Sequence, residues 1–138
     1  MHAENAAYYG SLLARNPEGI SPALTARLTL GAQVPAVDYI YSLTARESIY
    51  LEVEDLLQTH SAILTLSSPG PAPKSLDSTG SAVFNGMWTY LGVPCVSLPL
   101  MQVRGMPCGV QLIGLRRDDG RLLATAAWLE QNVGPVKI

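Results

Sequence analysis

The first half of the chain has the apolar spacing of helices. Residues 3–14 are rich in Ala and Leu and precede a proline, which predicts a first helix. A Ser-Pro pair at 21–22 predicts the N-cap and first residue of a second helix, with Gly31 as its end. A third helix is predicted over residues 35–58, because apolar residues recur on one of its faces. Those residues are Ile40, Leu43, Tyr50, Val53 and Leu57.

The second half changes from helical spacing to short apolar runs separated by Gly and Pro. Runs of this length and composition predict strands, and the Ser/Pro-rich stretch over residues 67–73 predicts a stiff loop. A C-terminal helix is predicted after a capping Asp118 or Asp119. The predicted elements are strands at 62–66, 95–98 and 110–113, a short helix at 84–91 that ends at Gly92, and a helix at 120–131.

This order of elements predicts an α/β fold. Three apolar strands do not form a closed sheet by themselves, and such strands usually lie in a larger sheet that is covered on both faces. We expect residues 1–138 to form a single domain or a fragment of one, since 138 residues make one ordinary domain. Within it, residues 1–60 are the helical segment and residues 61–138 the strand-rich segment with the C-terminal helix.

Composition narrows the classes of partner. Charged residues make up 14% of the chain and the net charge is −2, which argues against nucleic acid or an anionic membrane as a partner. Hydrophobic residues make up 48%, so we expect surplus apolar surface to be buried against a second copy or another chain. No apolar run has the length of a membrane span, and the first residues lack the pattern of a signal peptide. Two cysteines cannot form a disulfide framework, so a cytoplasmic location is expected.

Common catalytic and ligand-binding motifs are missing from the sequence. There is no G-x-S-x-G elbow, no Walker loop, no G-x-G-x-x-G and no H-E-x-x-H. His2 and His60 are far apart and have no flanking ligand residues. We therefore expect neither a metal site nor a cofactor. Cys95 and Cys108 are interpreted as small apolar residues in or beside strands.

One segment does carry a specific pattern. The chain reads F-N-G-M-W-T-Y-L-G-V-P over residues 84–94 and G-M-P-C-G-V-Q over residues 105–111, and an L-L-x-x-A helix follows Asp119. This arrangement resembles the C-terminal portion of the amidase signature family. Asp38-Tyr39 and residues 62–73 are similar to upstream segments of that family, although Leu66-Ser67 stands where the family usually has Pro-Thr. The resemblance implies helices packed on part of a mixed β-sheet, the C-terminal part of an amidase signature fold.

The resemblance also implies an activity whose catalytic residues are absent here. Members of this family hydrolyse amides with a Ser–cis-Ser–Lys triad, which lies in an N-terminal half around a Gly-Gly-Ser-Ser-Gly stretch. These 138 residues contain no such stretch, and Lys74 is followed only by Ser75, Ser78 and Ser81. No catalytic residue is therefore assigned. The expected function is the C-terminal portion of an amide hydrolase that contributes sheet and substrate-channel wall and is inactive without the N-terminal half.

Three residues of the segment 79–111 are candidates for contact with substrate. By resemblance, Thr79, Asn85 and Trp88 lie in the region that faces substrate in family members. The alternative for Trp88 is core packing, and the alternative for Asn85 is a loop or helix cap. A small-molecule amide is expected as substrate only when the N-terminal half complements the chain, as a split-enzyme partner. The alternative function is a non-catalytic binding or scaffold protein that kept the fold.

Overall fold

The computed structural model describes residues 1–134 and contains the predicted order of elements. Residues 135–138 of the predicted strand-rich segment lie outside the described residues. A single 3-10 turn, Pro17–Gly19, is the one addition to the predicted order within the described part. The helices are α1 (His2–Arg15), α2 (Pro22–Ala32), α3 (Ala36–Thr59), α4 (Gly86–Leu91) and α5 (Asp119–Val133), and the strands are β1 (Ile63–Leu66), β2 (Cys95–Val103) and β3 (Met106–Ile113).

The chain divides into two compact units, Met1–Glu47 and a second one that begins at Ser48. The division falls inside α3 and not at the predicted boundary between helical and strand-rich segments. The prediction of a single domain or fragment stays a prediction.

The first unit contains a close approach of α1 and α2. A Cβ placed on Gly31 would lie 2.1 Å from the carbonyl oxygen of His2, so only glycine fits where the two helices meet. The prediction that Gly31 ends α2 is therefore wrong, because the residue is buried within the helix and α2 continues to Ala32. The predicted N-cap is confirmed: the hydroxyl of Ser21 accepts a hydrogen bond from the Leu24 amide at 3.3 Å.

The second unit is built on a three-stranded sheet in the order β1-β3-β2. Both pairings are antiparallel, so the described residues hold none of the parallel strands that a mixed sheet would contain. The α/β class itself is confirmed. Strands β2 and β3 form a hairpin whose two turn residues, Arg104 and Gly105, both have positive φ, as a type I′ turn requires.

Both faces of the central strand β3 are covered. On one face Val110 and Leu112 pack with α5, and on the other Ile113 packs with residues of α3 and α4. This alternation follows from the two-residue period of a strand. Residues 110–113 are consecutively buried or nearly so, which is the pattern of a strand between two layers.

Arg116 connects the end of β3 to α4 and α3. Its guanidinium donates to the carbonyl oxygen of Leu91 from Nε at 2.9 Å and from Nη2 at 2.6 Å. The same group lies 3.8 Å from the centre of the Tyr50 ring, a cation–π contact. Burial raises the pKa of the Tyr50 phenol. These contacts fix the C-terminal end of α4, which stops at Gly92 as predicted.

Candidate functional site

A cleft of about 660 Å³ opens beside the hairpin of the second unit. Its wall consists of loop residues between Ser68 and Ser81 on one side and of Pro107, Cys108 and Gly109 on the other. The volume is typical of small-molecule sites in proteins. None of the described residues that line the cleft is charged.

Gly109 is the point where the loop contacts the hairpin. The Ser67 amide donates to the carbonyl oxygen of Gly109 at 3.0 Å, and the hydroxyl oxygens of Ser67 and Ser97 lie 2.6 Å apart. A Cβ on Gly109 would lie 2.6 Å from Ser97 Oγ and 2.8 Å from Ser67 Oγ. A side chain at Gly109 would therefore collide with both hydroxyls unless the serines shift, so glycine fits here without rearrangement.

Gln111, on strand β3, holds the start of the same loop in place by hydrogen bonds. It is 4% exposed and is the buried polar side chain of the described core. Its Nε2 lies 3.1 Å from Thr65 Oγ1, 3.0 Å from the carbonyl oxygen of Leu66 and 2.7 Å from that of Phe84. Because an amide nitrogen donates twice, Gln111 satisfies acceptors in β1 and in the segment before α4 at once. The two ends of the loop are thereby held together.

The two thiols differ in environment. Cys108 is buried in the cleft wall, and its sulfur lies 3.8 Å from the hydroxyl of Ser68, which donates to the Gly70 carbonyl at 2.6 Å. Cys95 is exposed, although partial burial of its thiol raises its pKa above the ordinary value. The Cys95 thiol is therefore expected to be protonated at neutral pH, as in structural cysteines.

The three site residues predicted from the sequence lie in three different environments in the structure. Thr79 is exposed and lines the cleft. Asn85 is half-buried, and its Nδ2 donates to the Ser67 carbonyl at 3.2 Å; its side chain makes no cap hydrogen bond to α4. Trp88 is 8% exposed, packs against Tyr50 in the core and is not among the residues that line the cleft. A role in substrate binding stays a prediction for all three.

Sequence reasoning missed Gln111, Ser67 and Ser97 as site residues. For Gln111 a signal existed: it is an isolated polar residue inside an apolar run, and a buried polar residue needs partners. For the two serines no signal existed, because they are 30 residues apart and meet only through strand pairing. Ser67 also stands where the family pattern usually has threonine, so a hydroxyl is retained at that position.

The cleft hydroxyls are hydrogen-bonded to no Lys or His side chain among the described residues. Within residues 1–134, their hydrogen bonds lead to carbonyl oxygens, backbone amides, other hydroxyls and the carboxylate of Asp77, and none leads to Lys or His. A serine nucleophile needs such a base. The same described range contains no cluster of His, Cys, Asp and Glu that could hold a metal ion. It also contains no helix with the length and apolar character of a membrane span.

Comparison with known proteins gives individual relatives, whereas no protein-family model matches the chain. Fatty-acid amide hydrolase 2-A of Danio rerio is 32% identical over 98 residues, which are 68% of this chain and 18% of that protein. The A subunit of glutamyl-tRNA(Gln) amidotransferase from Lawsonia intracellularis is 29% identical over 130 residues, 86% of this chain and 27% of the relative. The chain thus spans less than a third of the length of these curated relatives and is similar to their C-terminal part.

Solved structures of related enzymes also match this chain over about a third of their own length. A crystal structure of an amidase matches with a TM-score of 0.83 at 32% identity, over 96% of this chain and 33% of that one. The structure of the A subunit of glutamyl-tRNA(Gln) amidotransferase from Thermotoga maritima matches with a TM-score of 0.66 at 24% identity, over 99% of this chain and 36% of the other. The second likeness establishes a shared fold.

Proposed function

Because this chain belongs to the amidase signature family, we propose that it forms the C-terminal part of an enzyme that hydrolyses amide bonds. Its contribution is a portion of the sheet and one wall of the substrate channel. The observation that supports this assignment most directly is the uncharged cleft beside Gly109, because the G-M-P-C-G-V-Q segment that carries the family resemblance forms part of its wall. Thr79 lies in this wall, and Asn85 holds it through Ser67.

The proposal assigns the bond-breaking chemistry to residues outside this chain. A Ser–cis-Ser–Lys triad would have to be supplied by the N-terminal part of the family fold, since the hydrogen bonds of the cleft hydroxyls lead to no Lys or His within residues 1–134. The chain alone is then expected to release no product from an aryl amide such as p-nitroacetanilide. Turnover by the chain alone that a sulfonyl fluoride blocks stoichiometrically would overturn this division of roles.

The proposal can be tested in a chimeric protein in which a related amidase supplies the N-terminal catalytic half. Residues 1–134 replace the matching C-terminal part of the amidase whose structure gives the TM-score of 0.83. We expect the chimera to hydrolyse an amide substrate of that enzyme. In the chimera, Thr79→Ala should raise KM several-fold, whereas Thr29→Ala, on the exposed surface of α2, should leave kinetics unchanged. A chimera that folds and stays inactive would contradict the proposal.

A non-catalytic binding or scaffold protein is the second candidate function. The observation that favours it is again that, in the described part of the chain, no Lys or His is hydrogen-bonded to the cleft hydroxyls, which leaves a binding surface without a lysine or histidine base. The two candidates differ in two measurable respects. A scaffold would bind its ligand with the full 138-residue chain alone, and the chimera would gain no hydrolytic activity from it.

We also propose that the chain is not monomeric in isolation. The large apolar residues of the second unit that are more than half exposed include Leu64 on β1, and Leu123 and Trp128 on α5. A second copy or an N-terminal partner would cover them, burying more than about 1,000 Å². Light scattering over a dilution series tests this. A monodisperse 14.7 kDa species at high concentration, with a cooperative melt, would refute it.

A cytoplasmic location is the remaining part of the proposal. Cys95 and Cys108 are both free thiols, and free thiols persist in the reducing cytoplasm.

The net charge of −2 favours a small neutral substrate over nucleic acid or an anionic lipid surface.

A further inference from the structure

A second pocket of the second unit lies between α5 and the connection from α3 to β1. Its volume is about 410 Å³, and it shares no lining residue with the cleft beside Gly109. Its wall is formed by Ser61, Arg121, Ala124, Thr125 and Trp128. The proposed channel wall uses none of these residues, so the pocket requires an explanation of its own.

The spacing along α5 places four of these side chains on one side of the helix. Residues 124, 125 and 128 follow Arg121 by three, four and seven positions, which are the intervals that share a helical face. The neighbouring face carries Leu122 and Ala126, which are buried in the core beside the sheet. The pocket therefore lies next to the packed face of α5, where Trp128 keeps 62% of its surface exposed.

Arg121 carries hydrogen-bond donors that its neighbours do not use. Its Nε donates to Asp118 Oδ2 at 2.6 Å, and its Nη1 donates to the carbonyl oxygen of Leu57 at 3.4 Å. A guanidinium has five N–H groups, so these two contacts leave three without a hydrogen-bond partner among residues 1–134. The two contacts fix the guanidinium, and its remaining donors are available to a ligand.

The other lining groups determine which ligand fits beside Arg121. Ser61 is exposed, so its hydroxyl can donate a further hydrogen bond, whereas the Thr125 hydroxyl already donates to the carbonyl oxygen of Arg121 at 2.9 Å. The exposed indole of Trp128 offers a flat apolar surface. A guanidinium binds a carboxylate through two parallel hydrogen bonds, and aromatic rings pack favourably on an indole.

We propose that this pocket binds a carboxylate attached to a flat aromatic ring, with the carboxylate on Arg121 and Ser61 and the ring on Trp128. The Asp118 carboxylate is not among the lining residues, but its ion pair with Arg121 reduces the net positive charge there. The attraction therefore comes from directed hydrogen bonds and ring contact more than from net charge. This site is additional to the proposed function and does not depend on it.

Benzoate, benzamide and acetate test the three parts of the proposal. Each is titrated into the isotopically labelled 138-residue chain, and the indole N–H signals of the two tryptophans are followed by NMR. Trp88 is 8% exposed and serves as the internal reference for Trp128. We expect benzoate to shift the Trp128 signal alone. Benzamide lacks the charge and acetate lacks the ring, so both should bind at least about tenfold more weakly.

Self-association is controlled in the same experiment. A second copy that covered Trp128 would compete with benzoate for this pocket, so the titration is repeated at falling protein concentration. The apparent affinity for benzoate should stay constant or rise on dilution. A Trp128 signal that benzoate leaves unshifted in the most dilute sample would overturn the proposal.

A pair of arginine variants tests the hydrogen-bond geometry. Arg121→Lys keeps the positive charge but loses the planar fork, so benzoate should bind at least about fivefold more weakly. Arg27→Gln removes an exposed arginine of α2 that does not line the pocket and should leave benzoate binding unchanged. If Arg121→Lys changes the amide spectrum broadly, Ser61→Ala tests the same carboxylate contact and should also weaken binding.

The remaining outcomes decide between this site and simpler explanations. Equal binding of benzamide would show that the carboxylate is not recognised, and equal binding of acetate would show that the ring is not recognised. Unchanged affinity in both Arg121→Lys and Ser61→Ala would remove the proposed hydrogen bonds. Each of these three results refutes the proposal and leaves the channel wall unaffected, because the two pockets share no lining residue.

Discussion

Gln111 offers the sharpest test of how the cleft is held together. Its side-chain nitrogen serves Thr65 Oγ1 and the carbonyl oxygens of Leu66 and Phe84. Gln111→Ala removes this donor from all three acceptors. Two donated hydrogen bonds contribute about 1–3 kcal/mol net, and an acceptor left unsatisfied in the interior adds about 1–3 kcal/mol. We therefore expect the free energy of unfolding to fall by about 3 kcal/mol, out of a typical total of about 5–15 kcal/mol.

A second substitution at this position predicts a pH dependence. Gln111→Glu keeps the shape but directs a carboxylate at the oxygen atoms of Leu66 and Phe84, which makes ionisation unfavourable in the folded state. The folded-state pKa of that carboxyl is then raised above its unfolded value. Stability relative to the unmodified chain is accordingly best below the unfolded pKa and is lost as the pH rises through the folded pKa. The variant should be closer to the unmodified chain at pH 4 than at pH 7.

Urea unfolding followed by circular dichroism measures both variants. Gln102 on β2 is the matched control, because it is exposed and lies on the same hairpin. Gln102→Ala should change the free energy of unfolding by less than about 0.5 kcal/mol. If Gln111→Ala costs no more than this control, the buried amide does not hold the loop. A Gln111→Glu variant with no pH response would likewise refute the geometry.

Further substitutions test packing, close approach and thiol environment. Trp88→Ala should lower the free energy of unfolding by about 3–5 kcal/mol, and Trp128→Ala, at a residue 62% exposed, by less than about 0.5 kcal/mol, in urea unfolding. Gly109→Ala should lower the free energy of unfolding by about 1–3 kcal/mol, because the new Cβ would collide with two serine hydroxyls. A Cβ at Gly70 would have no atom within 4 Å, so Gly70→Ala should leave the free energy of unfolding unchanged in the same assay. Alkylation of Cys95 by iodoacetamide should reach half its maximal rate at a higher pH than glutathione does, because burial raises the thiol pKa; an equal midpoint would contradict this.

The sequence predicted the elements well where local signals decide the conformation. The Ser21 cap, the end of α4 at Gly92 and the order of helices and strands all follow from short-range chemistry. The face of α3 was predicted only in part. Tyr50 and Leu57 are buried as expected, whereas Ile40 is 60% exposed. Periodicity shows which residues share a face, but it cannot show where along a helix that face has a neighbour.

The lengths of β2 and β3 were underestimated for a physical reason. Prolines were interpreted as strand ends, yet Pro99 lies at the register shift between Leu98 and Met101, and Pro107 pairs with Gln102. At Pro107 the strand has a partner on one side only, because β1 pairs with β3 no further than Val110. A proline without an amide hydrogen is tolerated where a ladder bond is not required. Pairing of this kind depends on distant residues, which local patterns do not contain.

The same short segment determines both the fold of the second unit and the shape of its cleft. Within residues 105–111, Gly105 makes the hairpin turn, Gly109 leaves room for two serines, and Gln111 binds both ends of the loop that forms the opposite wall. A substitution that loosens the loop therefore also changes the cleft. Stability and ligand binding should fall together in variants of Gln111, whereas Thr79→Ala, on the exposed part of the loop, should alter binding alone. This difference separates residues that build the cleft from residues that select what enters it.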